Sequence, residues 1–261
     1  MLKKCLKIIS QLVLVSIFGM IVSFAVVWGH LLENRVPSAE NFKSFSGVTH
    51  AYPVSSKKAI KKSSNSAVRI ISFNPVRGEV SVSSGTYFEH KKRYYILTVR
   101  HGIASLTCEY IQIEVDNSLR PCDSVVSHDD YSDYVILSTD QIDGRKPIKF
   151  PNDFVTGYSA WIKTALPLEP LIYTGYPNTI GPVTLSGRVM GVSSDEYIYF
   201  NSYAWSGSSG SGVFNSKGKL VGYIVALDVG RTEYGMDVLE NVILVVPHYR
   251  VDWTPILRGG F

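Results

Sequence analysis

The sequence predicts an all-β domain behind an N-terminal apolar segment. Three observations lead there. From about residue 67 onward, short runs rich in Val, Ile, Tyr and Thr recur at regular spacing. Gly, Pro, Asn and Ser punctuate these runs, as they do strands joined by tight turns. Ahead of them, residues 8–28 (IISQLVLVSIFGMIVSFAVVW) carry no charge. About six strands fall in each half of the strand-rich region, a pattern met by two closed barrels or by a large sandwich.

About 20 apolar residues suffice to cross a bilayer as a helix. The 8–28 stretch meets that length, so residues 1–30 read as a membrane anchor. A cleaved signal sequence is the alternative, because Ser23-Phe24-Ala25 weakly matches a small-x-small cleavage site. Lys3, Lys4 and Lys7 precede the segment, whereas His30, Glu33 and Arg35 just after it nearly balance. Cationic residues favour the cytoplasmic side. This places the N-terminus inside and the rest of the chain outside, as a single-pass protein; signal cleavage would make it secreted. Residues 31–65, with Pro37, Pro53, many serines and Lys57, Lys58, Lys61 and Lys62, read as a polar linker, with or without a short helix.

The folded domain is expected over residues 66–261. In its first half, strands are expected at Ala67–Phe73, Val80–Ser84, Gly85–Phe88, Tyr94–Val99, Ile111–Val115 and Tyr134–Leu137. In its second half they are expected at Ala160–Thr164, Leu171–Tyr176, Val183–Val192, Tyr197–Asn201, Gly212–Asn215, Leu220–Leu227 and Val242–Val246. Asn215-Ser216-Lys217-Gly218 is a hairpin turn. A short helix is expected only in Tyr249–Leu257.

The net charge is +4 over 261 residues, and seven lysines sit in the two N-terminal clusters. The remainder is close to neutral, so nucleic-acid binding has no electrostatic support. Of three cysteines, Cys5 lies at the membrane end. Cys108 and Cys122 flank a strand-turn stretch and are either a short-loop disulfide or two thiols. No C-x-x-C pair exists, and the three cysteines cannot form a zinc site by themselves; no metal and no cofactor is expected.

Three segments carry chemistry. In the first, the apolar strand Tyr95–Val99 ends in a turn holding His101. The second is Ser132-Asp133-Tyr134-Val135-Ile136-Leu137, where an acid opens an apolar run; Asp129 and Asp130 are its rivals. In the third, Gly207-Ser208-Ser209-Gly210-Ser211 lies between Tyr203 and Trp205 on one side and Val213 and Phe214 on the other. A flexible Gly/Ser linker is not framed by strands in this way. Of the crowded serines, only Ser209 has Gly two before it and Gly one after it.

Taken together, Thr98-x-x-His101, Asp133-x-x-x-Leu137 and Gly207-x-Ser209-Gly210 resemble the signatures of chymotrypsin-like serine peptidases. The resemblance spans about residues 66–250. It is closest in style to compact bacterial and viral members, HtrA-type or glutamyl-endopeptidase-like. Ser84-Gly85-Thr86, Thr184–Val189 and Leu220–Val225 resemble further strands of that family. Arg100, Gly102, Ser208 and Ser211-Gly212 depart from its usual residues, and none of them deletes a reacting group.

The resemblance implies two six-stranded Greek-key β-barrels with the active site between them, over about 66–150 and 151–248. It implies a polypeptide substrate. Ser209 would be the nucleophile, His101 the base and Asp133 the group that orients His101. The Gly207 and Ser209 amides would form the oxyanion hole. Tyr203, Val225, Ala226 and Leu227 would line a substrate pocket; no acid stands at its base, which favours a small or apolar residue before the cleaved bond. With the chain ending at residue 261, no peptide-binding PDZ module is expected after the domain. Two other functions compete. One is an inactive, membrane-anchored binding scaffold of the same fold. The other is an α/β-hydrolase esterase, which the order His, Asp, Ser and the missing Gly after Ser209-x argue against.

Overall fold

The computed structural model describes residues 55–115, 118–177, 180–232 and 235–258. The expected membrane segment and residues 31–54 of the expected linker lie outside these residues. Among the described residues, no helix is long and apolar enough to cross a membrane.

The chain enters through α1 (Ser55–Ser66), followed by β1 (Ala67–Asn74), β2 (Glu79–His90) and β3 (Arg93–Thr98). A 3-10 turn, Cys108–Tyr110, leads to β4 (Ile111–Val115), β5 (Ser118–Pro121), β6 (Ser124–Asp129), β7 (Tyr134–Thr139) and the short β8 (Ile148–Lys149). These strands form one eight-stranded sheet in the order β5-β4-β1-β2-β3-β7-β6, with β8 parallel to β2. The second half comprises α2 (Tyr158–Thr164), β9 (Pro170–Gly175), β10 (Val183–Val192), β11 (Ile198–Asn201), β12 (Gly212–Asn215), β13 (Leu220–Thr232) and β14 (Gly235–Pro247). Its strands close as a barrel in the order β10-β11-β14-β13-β12-β9. The 3-10 turn His248–Arg250 and α3 (Thr254–Arg258) end the described chain.

Two six-stranded closed barrels were expected, and strand pairing closes only the second. In the first half the end strands β5 and β6 do not pair with each other. They are consecutive in the chain, separated by Cys122 and Asp123 alone. The backbone passes from one side of the sheet to the other there: Cys122 N donates to Ile111 O at 3.2 Å, and Asp123 N donates to Ser138 O at 2.9 Å. The ring is thus completed by the chain itself. A Cys108–Cys122 disulfide, with Cα atoms 5.1 Å apart, fastens this crossing.

Period-two alternation builds three cores from shared strands. Ile96 of β3 and Val135 and Leu137 of β7 point into the first half, with Val68, Ile70, Tyr87 and Ile113. Their neighbours Tyr95, Leu97, Tyr134 and Ile136 point the other way. There they meet Phe154, Phe214, Leu220, Tyr223 and Val246 in a core between the two halves. Trp161, Tyr173, Phe200, Val221 and Ile224 fill the closed barrel. The two halves are therefore joined by an apolar layer, and the loops that carry the predicted chemistry open at its edge.

Three local expectations change. Val80–Ser84 and Gly85–Phe88 are one continuous strand, β2. Ala160–Thr164 is not a strand but most of α2, started by Gly157 with φ +82°. Helical spacing stacks Tyr158 on Trp161, with ring centroids 5.9 Å apart, and buries Trp161. The end of the expected linker is α1, packed against the domain rather than free of it. Its inward residues Ala59, Ser63 and Ser66 are small and buried. Ser63 Oγ donates to Thr174 Oγ1 of β9 at 2.8 Å, and Lys62 pairs with Asp153. A helix that docks through serines and alanine leaves no apolar period in the sequence.

Candidate active site

His101 lies in the turn after β3, and Asp133 immediately precedes β7. β3 and β7 are antiparallel neighbours, with Thr98 opposite Val135. The pairing therefore brings the end of one strand beside the start of the other. Both carboxylate oxygens of Asp133 then engage His101. Asp133 Oδ2 lies 2.6 Å from Nδ1 of the ring, and Oδ1 accepts the His101 backbone N–H at 2.8 Å. Arg100 N also donates to Asp133 O at 3.2 Å. Asp133 has φ +51°, a left-handed conformation that Asp tolerates better than most residues.

The rival acids are occupied elsewhere. Asp129 Oδ1 accepts Ser132 N and shapes the loop, and Asp130 pairs with Arg100 at 3.0 Å. The departure at Arg100 is thereby accommodated, since its guanidinium faces Asp130 and Ile103 O.

Ser209 lies in the loop between β11 and β12. Its backbone is fixed from three sides. Ser84 N of β2 donates to Ser209 O at 2.8 Å, and Ser84 Oγ donates to Gly207 O at 2.7 Å. Gly210 N donates to Ile224 O of β13 at 2.7 Å. Thr98 Oγ1, three residues before His101, donates to Ser84 O at 2.7 Å. Ser84 thus links the strand that leads into the His101 turn to the loop that bears Ser209.

The Ser209 hydroxyl donates to Val225 O at 3.4 Å, a long hydrogen bond. Among the described residues, no hydrogen bond joins it to His101. The structure brings Asp133 to His101 and leaves the Ser209 hydroxyl turned to β13. Gly207 has φ +94° and Gly210 φ +88°. In this conformation the Gly207 and Ser209 N–H groups donate to no other described group, which leaves two free donors two residues apart on the loop.

Gly210 has no room for a side chain. A Cβ there would lie 2.0 Å from Ser84 O and 2.6 Å from Thr98 Oγ1. Gly210→Ala is expected to cost about 3 kcal/mol through strain and loop displacement. In thermal melts this corresponds to a fall of roughly 10 °C. A melting temperature within 2 °C of the parent, on the order of 1 kcal/mol or less, would show that the loop is not held as described.

Of the expected pocket residues, Val225 is buried on β13 beside Ser209. Tyr203 is instead largely exposed and lies flat along Trp205, ring centroids 6.2 Å apart. Its carbonyl accepts the hydroxyl of buried Tyr173. Ala226 and Leu227 belong to β13, and their side chains fall outside the described residues. No group of three or more His, Cys, Asp or Glu among the described residues is placed to hold a metal.

The sequence reading missed the parts played by Ser84 and Tyr223. Ser84 meets Gly207 across 123 positions, and Tyr223 O–H donates to Ser132 O across 91. Each stood in a motif only as part of a strand, and pairings that distant leave no pattern in one sequence.

The fold and loops define a two-half β protein of the kind that carries trypsin-like peptidases. The family model for the trypsin-like peptidase domain matches residues 83–222. The chain belongs to that family. The solved structures it resembles include a serine endoprotease from Yersinia pestis, at 19% identity and TM-score 0.58, covering 80% of this chain and 69% of that one. The Rv3671c protease from M. tuberculosis, in its active form, matches at 15% identity and TM-score 0.55, over 76% of this chain and 83% of that one. The HtrA-type protease AlgW, solved with a tripeptide, matches at 15% identity and TM-score 0.55, over 76% and 61%. No curated protein sequence matches the chain.

Proposed function

We propose that the chain is a serine endopeptidase working through His101, Asp133 and Ser209. The observation that carries this is the clamp of Asp133 on His101, with one carboxylate oxygen on the ring and the other on the backbone. A ring held through Nδ1 keeps its proton there and offers the Nε2 lone pair as a base.

Ser209 Oγ attacks the carbonyl carbon of the peptide bond while His101 Nε2 takes its proton. The carbonyl π electrons move onto oxygen, which accepts hydrogen bonds from the Gly207 and Ser209 amides. Collapse of that intermediate breaks the C–N bond, and His101 returns the proton to the leaving amine. Water then attacks the acyl ester with the same proton path and frees Ser209. The first step requires the Ser209 hydroxyl to leave Val225 O for His101 Nε2. Hydrogen bonds between catalytic groups often form or tighten only when substrate binds.

The substrate is a polypeptide, with a small or apolar residue before the cleaved bond. Residues 8–28 anchor the protein in a membrane, with the peptidase domain outside the cytoplasm. The Cys108–Cys122 disulfide supports that side, since such bonds persist in oxidising compartments.

The resting direction of the Ser209 hydroxyl favours a second reading, an inactive homologue that binds without cleaving. Treating the folded protein with a fluorophosphonate probe separates the two. The peptidase reading expects stoichiometric labelling, mapped to Ser209 by peptide mass. A well-folded protein that takes no label is the inactive scaffold.

A further inference from the structure

One strand of the closed barrel reaches both the loop of Ser209 and the peptide that leads into Asp133, and it does so over three consecutive residues. Ile224 holds the nucleophile loop by its backbone, accepting from Gly210 N at 2.7 Å and donating to Ser211 O at 3.0 Å. Val225 O accepts the Ser209 hydroxyl. Tyr223, before them, points the opposite way, out of the barrel and into the core between the halves. It is 0% exposed, and its hydroxyl donates to Ser132 O at 2.6 Å.

That oxygen belongs to the peptide unit that leads into Asp133. A peptide unit is planar. A hydrogen bond on its oxygen therefore fixes the plane from which the Asp133 φ angle is measured. Asp133 sits at φ +51°, a left-handed conformation that Asp tolerates better than most L residues but that is less populated than the extended or helical ones. On its other side, Asp133 O accepts Arg100 N at 3.2 Å. The carboxylate is aimed at His101 by a backbone held at both ends, and Tyr223 supplies one of the two holds.

We propose that Tyr223 is a positioning residue: its hydroxyl locks the Ser132–Asp133 peptide, and so keeps the acid aimed at His101 from the same strand that fastens the serine loop. This rests on the peptidase reading above. Burial, and after it the nearby Asp133 carboxylate, push the Tyr223 hydroxyl well above the usual tyrosine range. It therefore stays protonated, as a donor to a carbonyl must. A phenylalanine would fill the same space in the core and leave the Ser132 carbonyl without this donor.

Tyr223→Phe tests the assignment. Its fluorophosphonate labelling rate and kcat are expected to fall about tenfold or more, since small misplacements of reacting groups are costly. KM for a peptide substrate is expected to stay within about twofold, because no substrate contact is removed. The low-field proton signal of the His101 Nδ1–Asp133 hydrogen bond is expected to shift or broaden. Tyr87→Phe is the control. Tyr87 is equally buried, and its hydroxyl accepts Ile142 N at 3.1 Å in the core of the first half. It should lose stability while keeping the parent's labelling rate and His101 signal. All three proteins are measured well below their melting temperatures. A Tyr223→Phe protein that labels within twofold of the parent, with an unchanged His101 signal, overturns the proposal. If the parent itself takes no label, the peptidase reading fails instead, and the His101 signal alone decides the role of Tyr223.

Discussion

Ser209→Ala is expected to abolish peptide hydrolysis, with kcat falling on the order of 10⁶-fold. The hydroxyl oxygen is the atom that forms the acyl ester, and alanine leaves nothing in its place. The fold is expected to remain. What fixes residue 209 is its backbone, through Ser84 N on its carbonyl, and alanine keeps that bond. The side chain itself makes only the long hydrogen bond to Val225 O. Hydrolysis rates and thermal melts on the same preparation check both halves of the expectation. Retained activity would move the nucleophile to another serine. Ser211 is poorly suited to that role, being 0% exposed, with its hydroxyl pressed toward Gly175. Ser211→Ala should therefore leave labelling of Ser209 in place.

Asp133→Asn is expected to lower kcat by about 10⁴-fold with KM little changed. The argument turns on which oxygen does what. Asparagine can keep its Oδ1 on the His101 backbone N–H, so the loop geometry survives. Its NH₂ group then faces Nδ1, where the carboxylate oxygen had been. Two donors cannot share that bond, so the ring proton moves to Nε2. The lone pair that would accept the Ser209 proton is lost. Asparagine also tolerates the left-handed backbone at this position, which removes strain as a rival explanation. Parent-like turnover in Asp133→Asn would exclude Asp133 from the role assigned to it.

The sequence carried some of this plainly and concealed the rest for physical reasons. β10 and β12 were legible to the residue, because apolar runs bounded by turn residues have few other ways to fold. β5 and β6 were not. Ser118–Pro121 is largely exposed and Ser124–Asp129 mostly half-buried, and neither shows an apolar alternation. α2 was read as a strand because Trp161, Ile162 and Thr164 prefer strands locally. Packing of Trp161 into the closed barrel outweighs that preference. At the site, His101, Asp133 and Ser209 stood out by motif. The clamp between the first two depends on the register of β3 against β7, and the direction of the Ser209 hydroxyl on where Val225 O falls. Neither is written in local sequence.

A peptidase of the kind proposed would meet copies of itself, and the crossing at Cys122 bears on how such a protein survives a cut. The stretch between Cys108 and Cys122 carries β4, packed into the first core through Ile111 and Ile113, and the more exposed β5, and its two ends share one covalent bridge. A single cut within that stretch would leave both fragments tied together by the bridge. Reduction after such a cut would let them part. Tolerance of a cut between Cys108 and Cys122 is therefore set by the redox state of the surroundings, whereas the second half is closed by strand pairing alone, with no disulfide among its described residues.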